Sequence, residues 1–197
     1  MCVLFRSNIR SAALHEAGHI AAAYFAEYSC DEVCIDEGGN GVTVMNYGTD
    51  TILATAIMNR GTWQQLYNAL PRQIKINAEP VAKRLCCIIV AGGIAESIRA
   101  HGRNFKGKMD VELSGPDLNH VQSITQHFNI NVTELIANIY EIFTLDAFWN
   151  AIMRLSMNLI KQRHLSKNEI ESVILKEGLL EYLKTTNTQQ SNPADGK

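Results

Sequence analysis

The sequence predicts a mostly helical α+β domain that contains one small β-hairpin or sheet. Apolar residues recur with helical spacing over most of the 197-residue chain, and capping residues precede these segments. Only "EVCIDEGGNGVTVMNY", Glu32–Tyr47, has the pattern of two short strands around a glycine-rich turn. The composition, 46% apolar and 19% charged, is typical of a globular protein. We therefore expect one domain over residues 1–184 and a polar, disordered tail over 185–197.

Helices in the first half of the chain are expected wherever a capping residue precedes helical apolar periodicity. A proline within such a segment either interrupts the helix or begins the next one. The expected helices run from Asn8 or Ser11 to about Tyr28, from Thr49 or Asp50 toward Arg60, from Thr62 with an interruption at Pro71, and from Ala82 to Ala100.

The second half begins with a glycine-rich segment of mixed charge, "HGRNFKGKMDVELSGPD", which is typical of a loop. Helices are expected after it, and the last one carries the spacing of a capping box, Ser166 with Glu169. These helices cover Pro116 to Phe128, Asn131 or Thr133 to Thr144, Asp146 to Arg163, and Ser166 to Lys184.

Charge and cysteine content exclude several classes of protein. The net charge of -2 gives no electrostatic support for nucleic-acid binding. No apolar run reaches the roughly 18 residues that a membrane span requires. The number of cysteines, five, is odd, and the N-terminal segment lacks the pattern of a signal peptide. We therefore expect reduced thiols and a cytoplasmic location.

The segment "LHEAGHIAAAY" places His15, Glu16 and His19 in an apolar helix. Residues four apart share one helix face, so both imidazoles can reach one metal ion. Glu16 can then serve as the base for a zinc-activated water, which is the chemistry of the H-E-x-x-H motif. Gly18 within this helix costs about 1 kcal/mol relative to alanine. A close backbone approach to another element would explain its presence.

This helix resembles the active-site helix of the FtsH-type zinc peptidases, which are normally fused to an AAA ATPase. Four later segments also resemble the family and occur in the same order: "DEVCIDEGGNGVTVM", "IIVAGGIAESI", "LSGPDLNHVQSI" and "NLIKQRHLSKNEIESVI". The second segment departs from the family at two positions, because Gly93 stands where the family has arginine and Ser97 replaces its second glutamate. The resemblance covers roughly residues 9–174 and implies a helical zincin-like peptidase domain.

The resemblance implies that His15, His19 and Asp117 bind Zn²⁺ and that Glu16 is the general base. Glu96 is a rival third ligand, because it is the only acid of its apolar helix, or else a partner that orients a ligating histidine. His120 lies one helical turn beyond Asp117 and either faces the same site or lies on the surface. Three further polar residues fall in the expected loop and are interpreted as solvated: His101, Asp110 and Glu112.

The sequence also departs from the family. It contains no G-x-x-x-x-G-K-[ST] phosphate-binding loop and no membrane segment. Residues 59–76 are an apparent insertion, interpreted as a lid, a partner surface or extra core, with core favoured for its Trp63 and Tyr67.

The resulting prediction is an ATP-independent zinc metalloendopeptidase that hydrolyses peptides or unfolded proteins. A separate ATPase or adaptor is a candidate partner, and homo-oligomerisation is open. The alternative is a catalytically silent, peptidase-like interaction or adaptor module.

Overall fold

Two long helices, α1 (Val3–Phe25) and α5 (Ala78–His101), pack against each other at the centre of the protein. The structure is a computed structural model that describes residues 3–103 and 116–190. The short segments between α1 and α5 are β1 (Ser29–Ile35), β2 (Gly41–Asn46), a 3₁₀ turn (Gly48–Asp50), α2 (Thr51–Met58), α3 (Trp63–Ala69) and α4 (Arg72–Lys75). The remaining elements are α6 (Pro116–Phe128), α7 (Val132–Thr144), α8 (Asp146–Gln162), β3 (His164–Ser166), α9 (Lys167–Lys176) and α10 (Leu179–Gln190).

The three strands form an antiparallel sheet in the order β2-β1-β3. Val33 at the middle of β1 is fully buried and pairs with Thr43 on one side and Leu165 on the other. β2 is therefore an edge strand, and no strand among the described residues pairs with its other side. The side chains of Val42 and Val44 on β2 are exposed.

The structure confirms the predicted fold class, a mostly helical α+β protein with a small sheet. It also confirms the capping box of α9, where the Glu169 carboxylate accepts a hydrogen bond of 2.8 Å from the Ser166 backbone N–H. Three details differ from the prediction. The first helix begins and ends earlier than expected, at Val3 and Phe25, and α5 begins before Ala82, with Pro80 in its first turn. The last expected helix is divided into α9 and α10 at Gly178, which has a positive φ, and α10 extends past Lys184 to Gln190, into the expected tail. Residues 191–197 of the expected tail lie outside the described residues.

The contact between α1 and α5 depends on small residues. A Cβ atom added to Gly18 would lie 2.6 Å from the Ala91 carbonyl oxygen and 3.0 Å from Cβ of Ala95. Ala17, Ala91 and Ala95 are themselves fully buried. Gly18 thus allows the close backbone approach that its mid-helix position predicted.

The segment of residues 59–76 crosses the surface of α6. Trp63 is only 3% exposed, and its indole Nε1–H donates a 2.9 Å hydrogen bond to the Ser123 hydroxyl. Its ring stacks on Phe128, and Tyr67 packs edge-on against the same ring. Trp63 therefore belongs to the core, as the sequence favoured, whereas Tyr67 is half-buried and packs against it, and both residues hold the segment on α6.

None of the helices in the described parts of the chain has the length and apolar character needed to cross a membrane.

We predict that Gly18→Ala lowers the free energy of unfolding. Alanine normally stabilises a helix by about 1 kcal/mol over glycine, whereas overpacking of a close contact costs roughly 1–3 kcal/mol. Here the new methyl group would meet backbone, which cannot move aside as a flexible side chain can. Urea unfolding followed by circular dichroism measures the change. A gain in stability, as expected for an unconstrained helical glycine, would contradict the contact.

Candidate metal centre

Three side chains from two helices converge on one point. His15 and His19 of α1 and Asp117 of α6 each offer one ligand atom, and these atoms all lie within 4.8 Å of one another. His15 Nε2 lies 3.5 Å from Asp117 Oδ2. The imidazole rings of the two histidines are nearly perpendicular, with centroids 4.5 Å apart.

Glu96 of α5 fixes the orientation of His15. Its carboxylate accepts a 3.0 Å hydrogen bond from His15 Nδ1 and a second one from the Ser11 hydroxyl. Burial favours the neutral acid, but these hydrogen bonds hold the pKa of Glu96 below its ordinary value. The ionised carboxylate can only accept, so His15 Nδ1 carries a proton, and in the neutral imidazole the free lone pair is on Nε2. Gly92 makes room for the ring, since a Cβ there would lie 2.6 Å from His15 Nε2.

A backbone carbonyl fixes His19 in the same way. His19 Nδ1 lies 2.7 Å from the Ile88 carbonyl oxygen, which can only accept, so this nitrogen also carries the proton. Burial, together with the nearby positive charge of His15, lowers the pKa of His19. In its neutral form, each histidine therefore presents Nε2 as the unprotonated nitrogen.

Asp117 lies in the first turn of α6, where a carboxylate also interacts favourably with the helix dipole. The Arg60 guanidinium forms an ion pair with Asp117 Oδ1, while Oδ2 faces His15. Burial opposes ionisation, but the hydrogen bond with His15 and the charges of His19 and Arg60 keep the pKa of Asp117 below its ordinary value.

Glu16 is held against the edge strand rather than among the three ligand atoms. The Thr43 hydroxyl donates a hydrogen bond to Glu16 Oε2, and the carboxylate packs on Gly41, where any side chain would displace it. The Glu16 residue is only 8% exposed. The residue that follows His15 in sequence is thus aimed at β2 and fixed there.

The carboxylates make the site attractive to positive charge. Burial disfavours a charged His15, yet hydrogen bonds to Asp117 and Glu96, together with the charges of Glu96 and Glu16, raise its pKa to about 9. In a protein without metal, this positive charge is a proton on His15. A metal cation at the same place would compete with that proton.

The donor set fits a catalytic type of zinc site. Zinc is bound by imidazole nitrogen and carboxylate oxygen at about 2.0–2.2 Å, and catalytic sites have three protein ligands. Two such ligands at a tetrahedral angle are about 3.4 Å apart, close to the 3.5 Å between His15 Nε2 and Asp117 Oδ2. The Glu96–His15 hydrogen bond is the arrangement that orients ligating histidines in metalloproteins.

The structure brings together the three residues that the sequence proposed as ligands, with Glu16 beside them. Glu96, the rival ligand, hydrogen-bonds the far nitrogen of His15 instead. The interpretation of His120 as a surface residue is wrong, because it is buried, and it does not belong to the ligand cluster. His101 is exposed, as interpreted, but it is the last residue of α5 and not part of the loop, while Asp110 and Glu112 lie outside the described residues.

Sequence reasoning missed two partners in the site, Arg60 and Thr43. Arg60 belongs to the apparent insertion and contacts Asp117 only through the tertiary fold, so no local pattern could reveal it. Thr43 was present in the segment "GVTVM", but alternation there predicts the valines on the buried face, whereas the structure exposes Val42 and Val44 and turns Thr43 towards Glu16.

We predict that, without metal, stability falls between about pH 6.5 and 9. The pKa of His15 is raised from 6.5 to about 9, so its contribution is complete below pH 6.5 and disappears as the pH rises through 9. The pKa of His19 is lowered, so its effect on stability has the opposite sign, and this effect occurs below pH 6.5. Glu96→Gln should move the decline to lower pH, whereas Glu79→Gln, exposed on the same helix, should not. Urea midpoints measured with chelator across the range test this, and a constant or rising midpoint would refute it.

A scan against protein-family models found no match to this chain. A comparison with curated proteins found no match either. The resemblance to FtsH-type peptidases therefore rests on the sequence segments themselves, and the assignment of function rests on the chemistry of the site.

Proposed function

We propose that this protein is a zinc-dependent metallopeptidase that hydrolyses peptide bonds of peptides or unfolded proteins. The observation that supports it best is the convergence of two histidine nitrogens and a carboxylate beside a buried, oriented glutamate. Each of these residues also has a partner that fixes its orientation, as expected of a preorganised site.

His15, His19 and Asp117 are the proposed ligands of the zinc ion. When bound, zinc supplies a Lewis acid that polarises the scissile carbonyl and activates a water molecule at neutral pH. The protein contributes the orientation of the ligands through Glu96, the Ile88 carbonyl and Arg60.

Glu16 is the proposed general base. It accepts a proton from the attacking water and passes it to the leaving amine, which requires a carboxylate that is oriented and ionised. Thr43 donates to one oxygen of Glu16 and so restrains its rotation, while the position of Gly41 leaves space for the carboxylate.

The edge strand β2 is the proposed docking site for the substrate backbone. An extended peptide can pair with the open edge of a sheet through main-chain hydrogen bonds. Thr43 lies on this strand and contacts Glu16, so a peptide paired here runs beside the proposed base. The exposed side chains of Val42 and Val44 add apolar surface next to it.

Hydrolysis by this chain requires no nucleotide in this proposal, because the sequence has no phosphate-binding loop motif. The substrates are then peptides, unfolded segments or clients delivered by a separate ATPase or adaptor. The proposed location is cytoplasmic, on the basis of the odd number of cysteines in the sequence.

We predict that the protein binds about one zinc ion per chain and that the zinc affinity depends more on Asp117 than on Glu96. Asp117→Ala removes a ligand, whereas Glu96→Ala removes an orienting partner, a loss that typically costs about 10- to 100-fold in affinity. Competition with a chromophoric chelator measures both affinities, and Glu79→Ala on the same helix as Glu96 is the control. Metal loss in Glu96→Ala with retention in Asp117→Ala would contradict the ligand assignment. A folded wild type that stays metal-free with zinc supplied would refute the metallopeptidase.

We predict that Glu16→Gln retains zinc but loses about 10²- to 10⁴-fold in hydrolysis. Glutamine keeps the size of the side chain and removes its ability to accept the proton. Cleavage of an unfolded protein and zinc content are measured side by side, with Glu37→Gln in the exposed β1–β2 turn as the matched control.

Equal cleavage by wild type and Glu16→Gln would exclude Glu16 as the base. Absence of cleavage by either protein, with zinc bound in both, would favour the alternative function of an interaction or adaptor module.

A further inference from the structure

A cleft of about 380 Å³ opens next to the candidate metal centre. This volume is within the range of small-molecule and side-chain binding sites. Its walls come from the start of α3 with the residues before it, and from the first two turns of α6. The lining residues are Arg60, Gly61, Thr62, Trp63, Gln64, Gln65, Asn119, His120 and Ser123.

The lining has one formal charge and it is positive. Arg60 is the only charged residue of the nine, and no carboxylate is among them. The other polar groups that can donate hydrogen bonds are the side-chain amides of Gln64, Gln65 and Asn119 and the hydroxyls of Thr62 and Ser123. Such a lining is complementary to an anionic group that accepts several hydrogen bonds.

Arg60 can serve the metal centre and the cleft together. A guanidinium has five N–H donors in a planar fork, so it can bridge two carboxylates. One of its terminal nitrogens, Nη2, pairs with Asp117, while 54% of the side chain remains exposed. Trp63, three residues later, packs on α6 and so holds this part of the chain beside the helix that carries Asp117.

The cleft shares helix α6 with the proposed metal ligand. Asn119 and His120 follow Asp117 within one helical turn, and Arg60 contacts Asp117 directly. A group bound in the cleft therefore lies next to the residues that surround the scissile bond in the proposed function.

We propose that this cleft binds a carboxylate of the peptide substrate, either an acidic side chain or a free C-terminus, with Arg60 as its cationic partner. This inference rests on the proposed peptidase function for its substrate class. It gives residues 60–65, at the start of the apparent insertion, a role in substrate selection.

Peptide binding to a Glu16→Gln, Trp149→Phe protein tests the inference without hydrolysis. This background leaves Trp63, in the cleft wall, as the only tryptophan, so its fluorescence reports binding locally. The probes are a blocked alanine peptide with a central glutamate, the same peptide with glutamine, and an unblocked alanine peptide with a free C-terminus. Dissociation constants are determined with zinc and with chelator.

A charge-assisted hydrogen bond to arginine should make the glutamate peptide about 5- to 10-fold tighter than the glutamine peptide. If the unblocked peptide binds more tightly than the blocked glutamate peptide, the C-terminus is the source of the carboxylate. Arg60→Gln should reduce either preference to less than about two-fold, Arg60→Lys should restore part of it, and the exposed Arg72→Gln should leave it unchanged. High salt should weaken the preference.

Gln64→Glu gives a second test in which both Arg60 and Asp117 are retained. It adds a competing carboxylate to the cleft wall and should also remove the preference. Equal binding of all three probes, or no binding, would overturn the inference. Hydrolysis by the wild type is measured separately. Hydrolysis without a carboxylate preference overturns only the inference, and a preference without hydrolysis overturns only the peptidase.

Discussion

The close approach of α1 to α5 is the contact on which the rest of the site depends. At Gly18 the α1 backbone lies against the Ala91 carbonyl, and at Gly92 the α5 backbone lies against the His15 ring. Larger residues at either position would separate the helices. At the resulting spacing, α5 supplies Glu96 to His15 and the Ile88 carbonyl to His19. One packing contact thus determines which nitrogen each histidine presents.

The same arrangement explains why buried polar groups are tolerated here. A buried carboxylate or imidazole is costly unless it is hydrogen-bonded or paired. Glu96 pairs with His15, Asp117 with Arg60, and Glu16 with Thr43. The partners lie on different elements, so these interactions also connect α1 to α5 and to the sheet, and α6 to the segment before α3. The site and the tertiary structure are therefore stabilised by the same interactions.

Local patterns in the sequence were sufficient to predict the fold class, most helices, the hairpin and the helix that carries both histidines. They were insufficient for β3, a strand of three residues whose identity depends on pairing with β1. The two interpretations of Glu96 could not be separated from sequence, because the choice depends on which side of the His15 ring it reaches. Arg60 was missed for a similar reason, since its contact with Asp117 spans 57 residues of chain.

The sequence separations within the site have a consequence for the order of folding. Glu16 and Thr43 are 27 residues apart, His15 and Glu96 are 81 apart, and Asp117 is more distant still. Loop closure costs more entropy for longer separations, and an N-terminal segment leaves the ribosome first. A nascent chain can therefore form the Glu16–Thr43 contact early but holds the complete set of four groups only after α6 has packed. Any chemistry of this centre is thereby withheld until most of the protein has folded around it.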